Sequence, residues 1–381
     1  MVKRQERKIT KAFQLVNLCK RYKFYKITML KILYLLLEVL VVIIPVLLAI
    51  AFMTIIERKA LASFQRRVGP NTVGYYGVLQ PFSDALKLII KEPVIPSQSN
   101  KVLFYLAPVI TLFFSLLGWA VIPFGEGLAL SDFSMGVLYT LTLSSLGIFG
   151  VMFAGWSAAS KYAFLGAFRS TAAMISYELI LGSVIIIIII LTGTFNYTSI
   201  IESQQAIWFI VPLLPVSIIF FISILAETSR TPFDLQEAES ELVAGFFVEH
   251  SSVPFVFFFL SEYSSIVLFS SITSILFLGG WSFPEIFVNN TFINFQSIIL
   301  GIKTCLFCFL FVWVRATFPR LRYDQLITFC WTVLLPLTMS LIILVPSILF
   351  SFDIISPTFS NTELMSTIPL ALSPMGSLRK G

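Results

Sequence analysis

Apolar residues run unbroken for about twenty positions at a time along this chain, and polar residues collect in the gaps between the runs. Stretches long enough to cross a bilayer as helices occupy about residues 32–56, 103–124, 133–155, 172–192, 207–226, 254–278, 298–318 and 328–351. The pattern predicts an all-α polytopic membrane protein with eight transmembrane helices. Pro123 and the glycines Gly125 and Gly127 leave only a short turn between the second and third. The two-residue alternation of a β-barrel is absent, and the isoleucine run 185–190 reads as a helix interior. A shorter element lies in the first long gap. In GVLQPFSDALKLIIKEP, Leu79, Phe82, Leu86, Ile89 and Ile90 share one helical face, Asp84, Lys87 and Lys91 take the other, and Pro93 stops the run. Such an amphipathic helix lies in the membrane interface, either as a plain surface anchor or as the frame of a lateral doorway for a lipid-like ligand.

Composition agrees with the pattern, since 57% of the residues are hydrophobic. Charge adds a direction. The gaps after the first, third, fifth and seventh runs hold the basic loops, whereas the opposite gaps hold Glu126, Asp132, Glu202 and Glu285 and no lysine or arginine. By the positive-inside rule, the loops beginning at Glu57, Ser157, Glu227 and Arg315 face the cytoplasm or matrix. Residues 1–28 carry nine basic residues and one acid, which leaves 17 basic and 19 acidic residues for the remainder; the formal +6 therefore belongs to this leader. It does not read as a secretory signal, because the apolar run behind it is too long and lacks a small-residue cleavage site. Eight spans would put the leader opposite the basic loops. The expectation is that the mature chain starts at Met29 or that the leader lies on the outer surface, in either case with few buried contacts. Residues 29–352 then form the membrane domain and 353–381 a polar tail.

Metal and nucleotide chemistry find few ligands. There is one histidine, His250, and Cys305 and Cys308 form a C-x-x-C inside an apolar run with no second pair, so both read as packing residues. Neither a dinucleotide fingerprint nor a P-loop lysine is present, so electrons for any redox reaction would come from another subunit. The acids are more informative. AETSRTPFDLQEAESELVAGFFVEH, residues 226–250, carries Glu227, Asp234, Glu237, Glu239, Glu241 and Glu249, with Glu262 just beyond and Arg230 as the one basic neighbour. Carboxylates beside a bilayer must be solvated, paired or protonated. If a helix restarts at Pro232, Asp234, Glu237 and Glu241 share one face and Glu239 takes another. Aligned acids repel, so one of them should hold a proton; the competing reading is a fully wet helix cap, which suffices for Asp234. Glu178 and Glu262 lie too deep in their runs to reach water easily and mark proton sites, with Tyr177 and Tyr263 beside them to extend a hydrogen-bonded chain.

Four long segments in the four charged loops carry a resemblance. ERKALASFQRRVGPNTVGYYGVLQPFSDALKLIIKEP, GWSAASKYAFLGAFRSTAAMISYEL, AETSRTPFDLQEAESELVAGFFVE and VRATFPRLRYDQL resemble, in order and spacing, the subunit 1 family of respiratory complex I, the NADH:ubiquinone oxidoreductases. The similarity runs from about Met29 to the end of the eighth run. It implies a mitochondrially encoded, multi-pass subunit of the mitochondrial inner membrane that joins the quinone-reducing hydrophilic module to the proton-pumping membrane arm. It further implies ubiquinone as substrate, FMN and iron–sulfur clusters on partner subunits, no cofactor bound by this chain, contact with membrane lipids, and no nucleic-acid partner. By motif, Glu57, Arg58, Arg67, Asp84 and Arg315 are similar to residues of the quinone tunnel. Glu178, Glu227, Asp234, Glu237, Glu239, Glu241, Glu249 and Glu262 resemble the proton path, with Lys161, Arg230 and Arg320 as counter-ions.

The chain departs from the family pattern at His250, where tyrosine is usual. It departs again at Ser252-Val253-Pro254, where a small Ala-Gly pair is usual, and so loses a glycine that would let the loop bend. Two other classes share some of these features. A secondary transporter could use Glu178 and Glu262, although no internal repeat or matched pair of broken helices is visible. A membrane subunit of a hydrogenase would share the acidic loop without a quinone tunnel.

Overall fold

The computed structural model describes residues 2–234, 243–283 and 296–351, with side chains from residue 31 onward except Ile32. All regular secondary structure among the described residues is helical. In chain order the helices are α1 (Val2–Phe64), α2 (Gln80–Ile90), α3 (Lys101–Leu117), α4 (Gly136–Ser157), α5 (Lys161–Thr192), α6 (Tyr197–Glu202), α7 (Leu214–Glu227), α8 (Val253–Leu278), α9 (Gln296–Thr317) and α10 (Tyr323–Ser351). Seven are long and apolar enough to cross a membrane: α3, α4, α5, α8, α9, α10 and the Leu33–Phe64 part of α1. The fifth apolar run gives a shorter helix than the pattern predicts, α7 with 14 residues, because residues 207–213 form turns and Pro215 sits in its first turn. The chain is a multi-pass all-α membrane protein.

Several helices outlast their apolar runs. α1 continues to Phe64, so Glu57 and Arg58 stand on a helix and not in a loop. α5 begins at Lys161, where the Ser160 hydroxyl oxygen accepts the Ala163 amide, so Lys161 and Arg169 are also helical. Charged residues near a helix end do not interrupt its backbone bonds, so hydropathy alone understates these helices. α2 occupies the expected stretch, with Pro81 in its first turn. A π-helical segment, Phe329–Leu334, lies within α10.

α5 is the hub, packed against α4, α7 and α10, while α8 packs against α3 and α9. The isoleucine run accounts for part of the core: Ile187 and Ile188 are buried beside Tyr177, Ile180 and Val184. At the end of α8, two long side chains satisfy backbone carbonyls that the helix leaves without partners. Gln204 Nε2 donates to Ile275 and Leu276, and the Lys303 ammonium donates to Leu278, Gly280 and Ser282 at 2.7, 2.8 and 2.6 Å. Lys303 also lies over the rings of Trp208 and Phe283. The only sign of this buried cation in the sequence is the lone lysine inside the seventh apolar run.

Candidate functional site

Glu57 is buried near the end of α1, among groups drawn from three other parts of the chain. The Tyr263 hydroxyl of α8 donates to its Oε2 at 2.5 Å. Arg230, three residues beyond α7, places Nη1 3.3 Å from its Oε1, and the Arg315 guanidinium of α9 donates to the same oxygen. Arg230 also pairs through Nε with Glu262 Oε1 of α8 at 2.9 Å, and its guanidinium lies 4.5 Å from the centre of the Tyr263 ring. The result is a buried cluster of two carboxylates and two guanidiniums, charge-balanced only while all four are present. Burial of such groups is costly unless each charge is met, and removal of one partner leaves another exposed to that cost.

The local backbone explains how Arg230 reaches inward. The Arg230 amide returns to the Leu225 carbonyl at 3.0 Å and closes the end of α7, with Ser229 at φ 51°. The next residues are tied down by the Leu321 amide, which donates to the Pro232 carbonyl at 2.9 Å. Burial alone would lower the basicity of Arg230, but Glu262, Tyr263 and Glu57 around it outweigh that and hold its pKa well above the usual arginine value. Arg230 is a permanent cation between two acids.

Asp234 follows in the same segment and is buried, 3.2 Å from Arg320. The fully wet reading of Asp234 is thereby corrected, since the carboxylate is buried and meets a counter-ion; a helix restarting at Pro232 would run into residues 235–242, which lie outside the described residues. Glu237, Glu239 and Glu241 lie outside the described residues. Tyr263 serves an acid as its position suggested, whereas Tyr177 does not; its hydroxyl donates to the Leu326 carbonyl at 3.2 Å inside the core.

On the other side of Glu262 lies a cavity of about 120 Å³, room for several waters, between α3, α4 and α8. Glu227 and Glu262 both line it, with hydroxyl residues such as Thr140, Ser144, Ser261 and Ser265 among mostly apolar walls. Glu227 is 5% exposed, and its Oε2 has no hydrogen-bond partner among the described residues. Glu178 is half-buried and accepts a hydrogen bond from Ser145, a partner the sequence did not disclose. Glu227 and Glu262 thus flank one polar region inside the bundle, while Glu178 meets Ser145 of α4 and is not part of the cavity lining.

The remaining expected residues fall outside the cluster. Arg58 and Asp84 form an exposed pair at 2.7 Å that joins α1 to α2, and Gln80 donates to Asp84 at 2.9 Å. Arg67 is exposed and bonds Gln65 at 2.7 Å. Lys161 is exposed at the start of α5, and Glu249 is half-buried.

His250 is buried, stacked on Phe104 with ring centroids 4.1 Å apart and edge-on to Phe258 at 5.1 Å. Burial pushes its imidazole pKa down to about 4. Because the unfolded chain binds the proton more readily, this stability is fully present above about pH 6.5 and is lost as pH falls toward about 4. His250→Phe, which keeps the stacking, should therefore lose about 2 kcal/mol less than the native protein between about pH 7.5 and 5. Thermal inactivation of the assembled enzyme at the two pH values checks this; an equal loss in both proteins would contradict it.

A family model described as NADH dehydrogenase matches residues 37–346. The chain is 66% identical over 328 residues to the NADH-ubiquinone oxidoreductase chain 1 of Mycosarcoma maydis, covering 86% of this chain and 99% of that protein. It is 56% identical over 354 residues to the protein of the same name from Podospora anserina, covering 84% and 96%. It is 49% identical over 324 residues to the one from Chondrus crispus, covering 84% and 98%.

Proposed function

This chain belongs to the NADH dehydrogenase family and is a membrane subunit of a complex I type oxidoreductase, and on that premise we propose that it forms the access tunnel for ubiquinone and the first part of an acidic proton path. The observation that carries the reading is the buried cluster of Glu57, Arg230, Glu262 and Arg315, bordered by Tyr263 and adjoining the cavity at Glu227. A quinone that gains two electrons also gains two protons to become a quinol. Its headgroup carries negative charge on the way, which cations near the tunnel stabilise. The electrons come from flavin and iron–sulfur centres on partner subunits of the hydrophilic module. This chain supplies cations, an apolar route for the isoprenoid tail, and acids that exchange protons.

Arg315 and Glu57 form the tunnel side of the cluster, and Glu262, Glu227 and Glu178 form the proton side. Arg230 touches Glu57 and Glu262 and so joins the two. A change of charge near Glu57 redistributes the Arg230 interaction toward Glu262, and the cavity, with room for several waters, carries the resulting proton demand to Glu227. Asp234 with Arg320 fixes the segment that holds Arg230, and Glu237, Glu239 and Glu241, outside the described residues, belong by the family resemblance to the same proton path. The setting is the mitochondrial inner membrane, with the Glu57, Glu227 and Arg315 ends of the helices on the matrix side.

Arg315→Met tests the tunnel assignment. Quinone reductase activity should fall about tenfold or more, while electron transfer from NADH to an artificial acceptor, which precedes this chain, stays intact. Equal loss of both activities in fully assembled enzyme would contradict the assignment.

A further inference from the structure

Ser252, the residue before α8, adopts φ 63° and ψ −132°, a backbone conformation that side chains rarely take. Its hydroxyl lies 2.6 Å from the Lys91 carbonyl and 3.1 Å from the Leu88 carbonyl, at the last turn of α2. The neighbouring Ser251 hydroxyl oxygen accepts the Val94 amide at 3.1 Å. Carbonyls at a helix end need donors from elsewhere, and here a strained serine at the start of another helix provides one. Ser252 belongs to the Ser252-Val253-Pro254 stretch, where the family resemblance leads one to expect a small Ala-Gly pair.

The other half of α2 is fixed by the Asp84–Arg58 pair. Arg58 is the neighbour of Glu57, which meets Arg230, which meets Glu262, and Glu262 lies ten residues along α8 from Ser252, about 15 Å of helix. The contacts close into a ring: α2 to α1 through Asp84, α1 to α8 through the buried cluster, and α8 back to α2 through Ser252. We infer that α2 is a tie-bar which sets the spacing of α1 and α8 around the Glu57–Arg230–Glu262 cluster, and that Ser252 is the positioning residue fastening it. Movement of the interfacial helix, as a long-tailed ligand passes or a neighbouring subunit presses on it, is then felt at the cluster.

The functional part of this inference rests on the quinone reading above; the mechanical part does not. Ser252→Gly in the assembled enzyme removes the hydroxyl and relieves the backbone together, so a merely awkward turn would gain from the change. A fastening predicts the opposite. Amide hydrogen exchange over residues 88–94 should accelerate about tenfold, the size expected for loss of one or two hydrogen bonds. The KM for a long-tailed quinone should rise about three- to tenfold while kcat changes less than about twofold. Ser252→Ala should raise the exchange rate as well. Combining Ser252→Gly with Asp84→Asn should raise KM by less than the product of the single effects, because either change releases the same bar. Unaltered exchange in Ser252→Gly would overturn the tie-bar outright. Faster exchange with an unaltered KM, or multiplicative effects in the pair, would overturn the link to the cluster. If Arg315→Met proves harmless to quinone reduction, the quinone reading fails while the exchange result still decides the tie.

Discussion

Arg230→Met should nearly abolish quinone reduction, by about a hundredfold or more in whatever enzyme assembles, because it removes the cation shared by two buried acids. Glu57 would retain Arg315, but Glu262 would lose its Arg230 counter-ion. Breaking a buried pair on one side costs about 3–5 kcal/mol, enough to lower assembly as well as activity. Two measurements separate those effects. NADH oxidation by an artificial acceptor, normalised to assembled complex, should be unaffected, and Arg230→Lys should recover part of the quinone activity. Lysine keeps the charge but lacks the fork that reaches Glu57 and Glu262 together, so full recovery is not expected. Assembled Arg230→Met enzyme that reduces quinone at more than half the native rate would remove the cluster from the mechanism.

The helices were legible in the sequence because a bilayer demands long apolar runs, and no soluble pattern competes with that demand. Their ends were not. Glu57 and Lys161 sit on helices that continue beyond the apolar run, and hydropathy has no information about backbone bonds there. Pro212 and Pro215 were visible, yet the pattern still carried the fifth run through the turns that precede α7. Among site residues, the acids stood out by type against an apolar background. Their partners did not, because Arg230 and Glu57 are separated by 173 positions and Arg315 and Glu57 by 258. Arg230 read as the lone cation near an acidic loop, whereas it faces away along the bundle to Glu57 and Glu262. The Asp234–Arg320 pair, likewise, joins residues far apart in the sequence. In the sequence, Ser252 stands out only for the glycine missing nearby; its strained backbone and its bonds to α2 belong to tertiary structure.

Glu227→Gln should slow quinone reduction about tenfold or more without lowering stability. Glu227 is buried, lines the cavity and has no ion pair among the described residues, so a neutral isostere removes no salt bridge. If the residue served packing alone, glutamine would be tolerated, since it fills the same space and can still hydrogen-bond to water in the cavity. A proton relay would suffer, because an amide does not take up and release protons at neutral pH. Glu227→Asp keeps that capacity and should be milder. Glu262→Gln is a less clean probe, since it also strips Arg230 of a partner and mixes electrostatic damage with lost proton transfer.

The most direct test measures two rates in the same sealed vesicles: quinone reduction and proton translocation by assembled Glu227→Gln enzyme. One relay serving both processes predicts that the two rates fall together, with the protons moved per quinone reduced unchanged and electron entry from NADH intact. Normal quinone reduction with normal pumping would contradict the account, because the acid at the centre of the path would then be dispensable.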